Sequence, residues 1–160
     1  MQEIAPGLWH WTALRERIGH DVSSYYLEPE RVVIDPMLPG EGIEWLAEHG
    51  PPEHVLLSCR HHDRAAWMLR ERFGCAVHVI SSGAHELEGR GEFETFEWGD
   101  ALPGGVVAHA VDAISPDETA LHIPAHDALA IGDGVVRWPG QPGLSFVPDT
   151  YMDDPEQTKA

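Results

Sequence analysis

Leu56-Leu57-Ser58-Cys59-Arg60-His61-His62-Asp63-Arg64 is the stretch on which the reading of this chain turns. Residues 54–58 are mostly apolar and read as a buried strand, which ends abruptly in thiol, imidazole, carboxylate and guanidinium groups. A helix is expected directly afterwards, over residues 64–73. Ala65, Ala66, Leu69 and Phe73 would share one face, with Asp63 at the N-cap position and Gly74 as the stop. A strand-to-helix loop can aim several side chains at one point, and zinc takes deprotonated N, O or S ligands about 2.0–2.3 Å away. Cys59, His61 and Asp63 are therefore candidate metal ligands.

Working outward, residues 75–80 form another apolar strand, and the strand–helix–strand order implies parallel pairing through a right-handed crossover. Upstream, residues 31–35 carry an uninterrupted β-branched run up to Pro36, and residues 7–11 and 23–27 also read as strands. A short helix is expected over 41–48, with Ile43, Leu46 and Ala47 at helical spacing and Gly50-Pro51-Pro52 ending it. The second half changes character. Short strands at 105–111, 119–123, 128–132, 135–138 and 144–147, separated by Gly, Pro and Asp, describe a mainly antiparallel meander. Within it, Ile131-Gly132-Asp133-Gly134 places a carboxylate between glycines at a strand end, where the backbone can approach closely.

These residues resemble the metallo-β-lactamase superfamily, whose hallmark is a strand followed by Thr-His-x-His-x-Asp-His and a later strand ending in Gly-Asp. Ser58 to Arg64 matches the first motif and Gly132-Asp133 the second, while Val33-Ile34-Asp35-Pro36 stands where the family has Ile-Asp-x-Gly. The resemblance implies an α/β sandwich of two mixed sheets flanked by helices, as one domain over 1–160 with a weakly structured tail at 148–160. It also implies metal ligands at His61, Asp63 and Asp133, with Cys59 in place of the first family His as a further ligand. Arg64 replaces the last His of the motif, and a guanidinium cannot be deprotonated to make room for a second cation. One zinc ion is thus expected rather than two. The place of the family's third His, ahead of Asp117-Glu118-Thr119, holds none, and the expected final His-bearing segment is absent, as in a truncated chain.

The function so implied is hydrolysis of an ester, thioester or amide by a metal-activated water, with Asp63 orienting the water or accepting its proton. The alternative is a non-catalytic, metal-free binding or scaffold domain plugged by Arg64. There Asp63 would cap the second helix, Asp133 would serve a turn, and an Asp63–Arg64 or Asp133–Arg64 ion pair would stand in for the metal. A third reading makes Cys59 a nucleophile activated by His61 or His62.

Composition narrows the partners. Ten basic against 27 acidic side chains give a net charge of −17, which repels phosphate backbones and anionic lipid. Neither nucleic acid nor membrane is expected as a partner; a small-molecule substrate is, with Arg60 and Arg64 as local cations. Cys59 and Cys75 are too few for a disulfide framework, and Met1 to Pro6 carries no basic and apolar leader, so a cytoplasmic location is expected. The tryptophans at 9, 11, 45 and 67 fall at strand and helix spacings typical of core and half-buried aromatics.

Overall fold

The computed structural model describes residues 1–111, 114–138 and 140–159. Residue 160, the end of the acidic tail, lies outside them. Among the described residues ten strands form two sheets. The larger runs β1 (Gln2–Ala5), β2 (Leu8–Arg15), β3 (His20–Leu27), β4 (Val32–Ile34), β5 (His54–Leu56), β6 (Ala76–Ile80) and β7 (Glu94–Phe96), in that spatial order. Its first four strands are antiparallel neighbours and its last four parallel ones. The smaller sheet is antiparallel, in the order β10 (Ala128–Ile131), β9 (Thr119–Ile123), β8 (Val107–Ala110).

Of the parallel strands, β4, β5 and β6 are buried on both faces, which is why their sequences are rich in valine, isoleucine and leucine. One face carries Leu8, Leu27, Val32, Ile34, Leu56, Ile80 and Phe96 and meets Ala108, Leu121, Ile123 and Ala130 of the smaller sheet. The other carries Trp11, Tyr26, Val33, Val55, Val77 and Val79 and packs on Leu46 of α1 (Ile43–Glu48) and on Ala66 and Leu69 of α2 (Ala66–Phe73). The period of two along each strand separates the two cores. The result is the expected αβ sandwich of two sheets with helices outside. A short α3 (Pro155–Thr158) follows Asp154, whose carboxylate caps it by accepting from Gln157 N–H at 2.9 Å.

Several expected elements change. β1 and β7 are additional, and both are short strands with few buried side chains, so they lack an apolar signal. The strands expected at 135–138 and 144–147 reduce to one antiparallel bridge, Val136 to Ser145, because Gly140 and Gly143 turn the chain at φ 77° and 83°. The first helix starts at Ile43, since Gly42 sits at φ 87°. The second starts at Ala66 after a 3₁₀ turn, Arg60–His62, and ends as expected at Gly74, whose φ of 73° closes it with an N–H bond to Arg70 O. Asp63 does not cap that helix with its side chain. Among the described residues no helix is long and apolar enough to cross a membrane.

Candidate metal centre

The site is built where β4, β5 and β10 end. Asp35 follows β4 at φ 48°, a strained value for a residue other than glycine. Its carboxylate accepts from Ser58 N–H at 2.8 Å and from Ser58 Oγ at 2.6 Å, and lies 3.0 Å from His62 Nδ1. The 3₁₀ turn after β5 closes with His62 N–H on Cys59 O at 3.1 Å, and that turn swings the imidazole of residue 62 inward. His62 Nε2 then stands 3.4 Å from Asp133 Oδ1, which arrives from the end of β10 on the other sheet. Ligand atoms of Cys59, His62 and Asp133 all lie within 4.8 Å of one another.

Glu118, ahead of β9, completes the arrangement. It is buried, and its Oε1 accepts from Asp133 N–H at 2.6 Å. Gly132 is required here: a Cβ would run into Glu118 Oε1 and stand 2.8 Å from Ser58 Oγ. Thr119 N–H bonds Ser58 O at 2.9 Å, so the ligand-bearing loop is fastened directly to the smaller sheet.

The electrostatics follow from burial and close charge. Burial alone would lower the His62 imidazole, but the Cys59 sulfur, Asp35 and Asp133 outweigh it and hold the group well above its ordinary 6.5. Burial would raise Asp35 and Asp133, yet His62 beside each of them, with Arg64 assisting, holds both below the usual carboxylate range. Burial pushes the Cys59 thiol up to about 11 against the pull of His62. Glu118 is pushed up to about 7 by burial, with Asp133 and Asp35 adding to the shift. In the metal-free protein an imidazolium therefore sits between two carboxylates, its proton where a cation's charge would otherwise be.

The donor set suits one borderline divalent ion. Thiolate, imidazole and carboxylate are all zinc ligands, and a carboxylate on the far nitrogen of the imidazole is the usual means of fixing its tautomer. The span of 4.8 Å is wider than the roughly 3.3–3.8 Å between ligands of a closed tetrahedral zinc site. The His62 Nε2 to Asp133 Oδ1 separation of 3.4 Å already falls within that range.

Of the residues singled out by spacing, Cys59 and Asp133 come together here. His61 does not; it is exposed, and the neighbouring His62 points inward instead. Asp63 also lies outside the cluster. Its carboxylate binds the guanidinium of Arg90 and accepts from Trp67 Nε1 at 3.2 Å. Arg64 forms neither expected ion pair; its Nη1 donates to the carbonyls of Ser23 at 2.7 Å and Asp35 at 2.8 Å, bracing the β3 and β4 ends. Arg60 is occupied by the buried Asp117 and by Glu86 at 2.8 Å. Asp35, Ser58 and Glu118 are not among the expected site residues, and His62 is expected only as a base beside a nucleophilic Cys59, not as a ligand. The signal that marks Asp35 and Glu118 is a carboxylate adjoining a buried strand, directly after β4 and directly before β9.

No protein-family model matches the sequence, and no curated protein does. Solved structures do. A metallo-β-lactamase family protein from Thermus thermophilus superposes with a TM-score of 0.67 at 15% identity, covering 84% of this chain and 62% of that one. The chain thus spans less than two thirds of that protein's length. The BLEG-1 B3 metallo-β-lactamase gives 0.61 at 18% identity, over 81% of this chain and 74% of its own. TTHA1623, solved in a di-iron-bound form, gives 0.61 at 19% identity over 94% and 76%. These superpositions, at 15–19% identity over most of the chain, show that it has the metallo-β-lactamase fold.

Proposed function

We infer that the chain is a divergent metallo-hydrolase holding one divalent ion between Cys59, His62 and Asp133 and acting on a small ester, thioester or amide. One observation carries the reading: ligand atoms from two separate sheets converge within 4.8 Å, and the imidazole among them is already oriented by a buried carboxylate. Both nitrogens of this ring face carboxylates, Asp35 at 3.0 Å and Asp133 at 3.4 Å.

An ion bound there supplies Lewis acidity, lowering the pKa of a water and polarising a carbonyl oxygen. The chain's own residues do the rest. Asp35 fixes the ring of His62 and selects Nε2 as the ligating atom. Glu118 positions the backbone of Asp133. Asp133, the most exposed of the three ligands, marks the side on which the site opens to solvent and substrate. Asp63, tied to Arg90 and Trp67, positions the loop rather than a water.

The competing reading is a metal-free binding domain. What favours it is the imidazolium of His62, which together with the nearby Arg64 offsets the charges of Asp35 and Asp133 without an ion. Zinc analysis after dialysis separates the two. Under the hydrolase reading the wild type retains zinc and hydrolyses aryl esters or thioesters, His61→Ala keeps both properties, and His62→Ala loses the activity and about one equivalent of zinc. A His62→Ala, Asp133→Ala double variant with the same zinc content as the wild type, or no zinc in the wild type after loading, overturns it.

A further inference from the structure

We propose that His54 and His78 form a second site for a divalent transition ion, separate from the one at Cys59 and built on the parallel strands. His54 opens β5 and shares a face with Leu56; His78 lies two residues before Ile80 on β6; Glu94 lies two before Phe96 on β7. Leu56, Ile80 and Phe96 all belong to the core between the sheets, so the three polar groups share the face of the large sheet that carries this core. His78 is in register with Glu94 on one side and with Leu56 on the other, and His54, two residues before Leu56, reaches it diagonally across the neighbouring parallel strands.

His54 Nδ1 and His78 Nε2 face each other at 3.1 Å. Two nitrogens on one tetrahedral zinc, each about 2.0–2.1 Å from it, stand about 3.3 Å apart, so the observed pair needs little movement to share an ion. Glu94 Oε2 lies 3.7 Å from the other ring nitrogen of His78. That is the outer position from which a carboxylate orients a ligating imidazole. It leaves the lone pair of His78 Nε2 toward His54, so in the metal-free protein His54 Nδ1–H donates across the gap. Metal binding moves that proton to the far nitrogen of His54 or to solvent.

The side chain of His78 is 9% exposed and that of Glu94 70%, so the pair sits at a rim open to water, which fills the remaining coordination positions. Nitrogen donors without an oxygen ligand select Zn²⁺, Ni²⁺ or Cu²⁺ over Mg²⁺ and Ca²⁺. Nothing at Cys59, His62 or Asp133 takes part. Bound there, the ion staples β5 to β6 and, through Glu94, to β7.

The test is a Zn²⁺ titration of the full chain followed by long-range proton–nitrogen spectra of the imidazoles, alongside zinc counting. Expected are simultaneous shifts of His54 Nδ1 and His78 Nε2, unchanged in His62→Gln, and the loss of about one zinc equivalent in His54→Gln. Glu94→Gln, at an exposed position, weakens this zinc by about 10- to 100-fold. Ring nitrogens that stay unmoved up to millimolar Zn²⁺, or a zinc count unaffected by His54→Gln, would leave only an N–H···N bond and overturn the proposal. Because the readout follows the rings of residues 54 and 78, it stands whether or not the site at Cys59 holds metal.

Discussion

Asp35 Oδ2 and His62 Nδ1 lie 3.0 Å apart, joining the end of β4 to the turn after β5 and leaving His62 Nε2 toward Asp133. This contact decides which nitrogen of the ring is available to a ligand. Asp35→Asn keeps the size of the group but removes one acceptor oxygen and the charge. Zinc affinity, read by competition with a chromophoric chelator, is expected to fall about 10- to 100-fold. Asp63→Asn, outside the cluster in function though next to it in sequence, leaves that affinity within about threefold.

Gly132 is wedged between Glu118 and Ser58. Gly132→Ala therefore forces a buried carboxylate and a buried hydroxyl aside, and overpacking of this kind costs about 1–3 kcal/mol. Urea unfolding measures the loss. Adding Glu118→Ala to that variant recovers part of it, because the methyl then enters the space of the removed carboxylate; a double variant weaker than the sum of both singles contradicts the packing account.

Binding of an ion displaces the proton of His62 Nε2 and that of Cys59, whose thiol is pushed up to about 11. Both groups are protonated at neutral pH, so zinc affinity climbs with pH, by up to about 100-fold per pH unit while both protons must leave. Isothermal titration between pH 6 and pH 8, in buffers of different ionisation heat, reports the number of protons released. Affinity independent of pH over this range excludes the assigned ligand pair.

Burial lowers the His78 imidazole, with His54 also lowering it and Glu94 opposing; burial lowers His10 too. The folded value of each lies below the unfolded 6.5. Above 6.5 both states leave these rings neutral and nothing is lost. As pH falls through 6.5 the unfolded chain takes up protons that the folded chain refuses, so stability declines until the folded pKa is reached. In metal-free protein, His78→Gln is expected to lose less stability than the wild type between pH 7.5 and pH 5.5. Thermal melts at the two pH values make the comparison.

Much of the fold was legible in advance because its central strands carry apolar runs that only a doubly covered sheet explains, as at residues 31–35, 54–58 and 75–80. β1 and β7 were not, since edge strands need only backbone partners and Gln2 to Ala5 shows no alternation to read. At the site, Cys59 and Asp133 were marked by their places after strand ends. The imidazole was assigned one residue early, to His61, because linear motif spacing presumes the loop conformation of the motif's usual form. Here the backbone after Cys59 tightens into a 3₁₀ turn, and a change of winding rotates which side chain faces inward. Glu118 escaped for a different reason: its role depends on how close the second sheet stands to the first, and nothing along the chain encodes that distance locally.

Cys59 and His62 ride on the large sheet and Asp133 on the small one, so the filling between the layers acts as a ruler for the ligands. Leu121 and Ala130, neither of which belongs to the cluster's donor set, help fix its spacing through the thickness of what they fill. A methylene added or removed there shifts one wall of the cleft against the other, and with it the reach from carboxylate to imidazole.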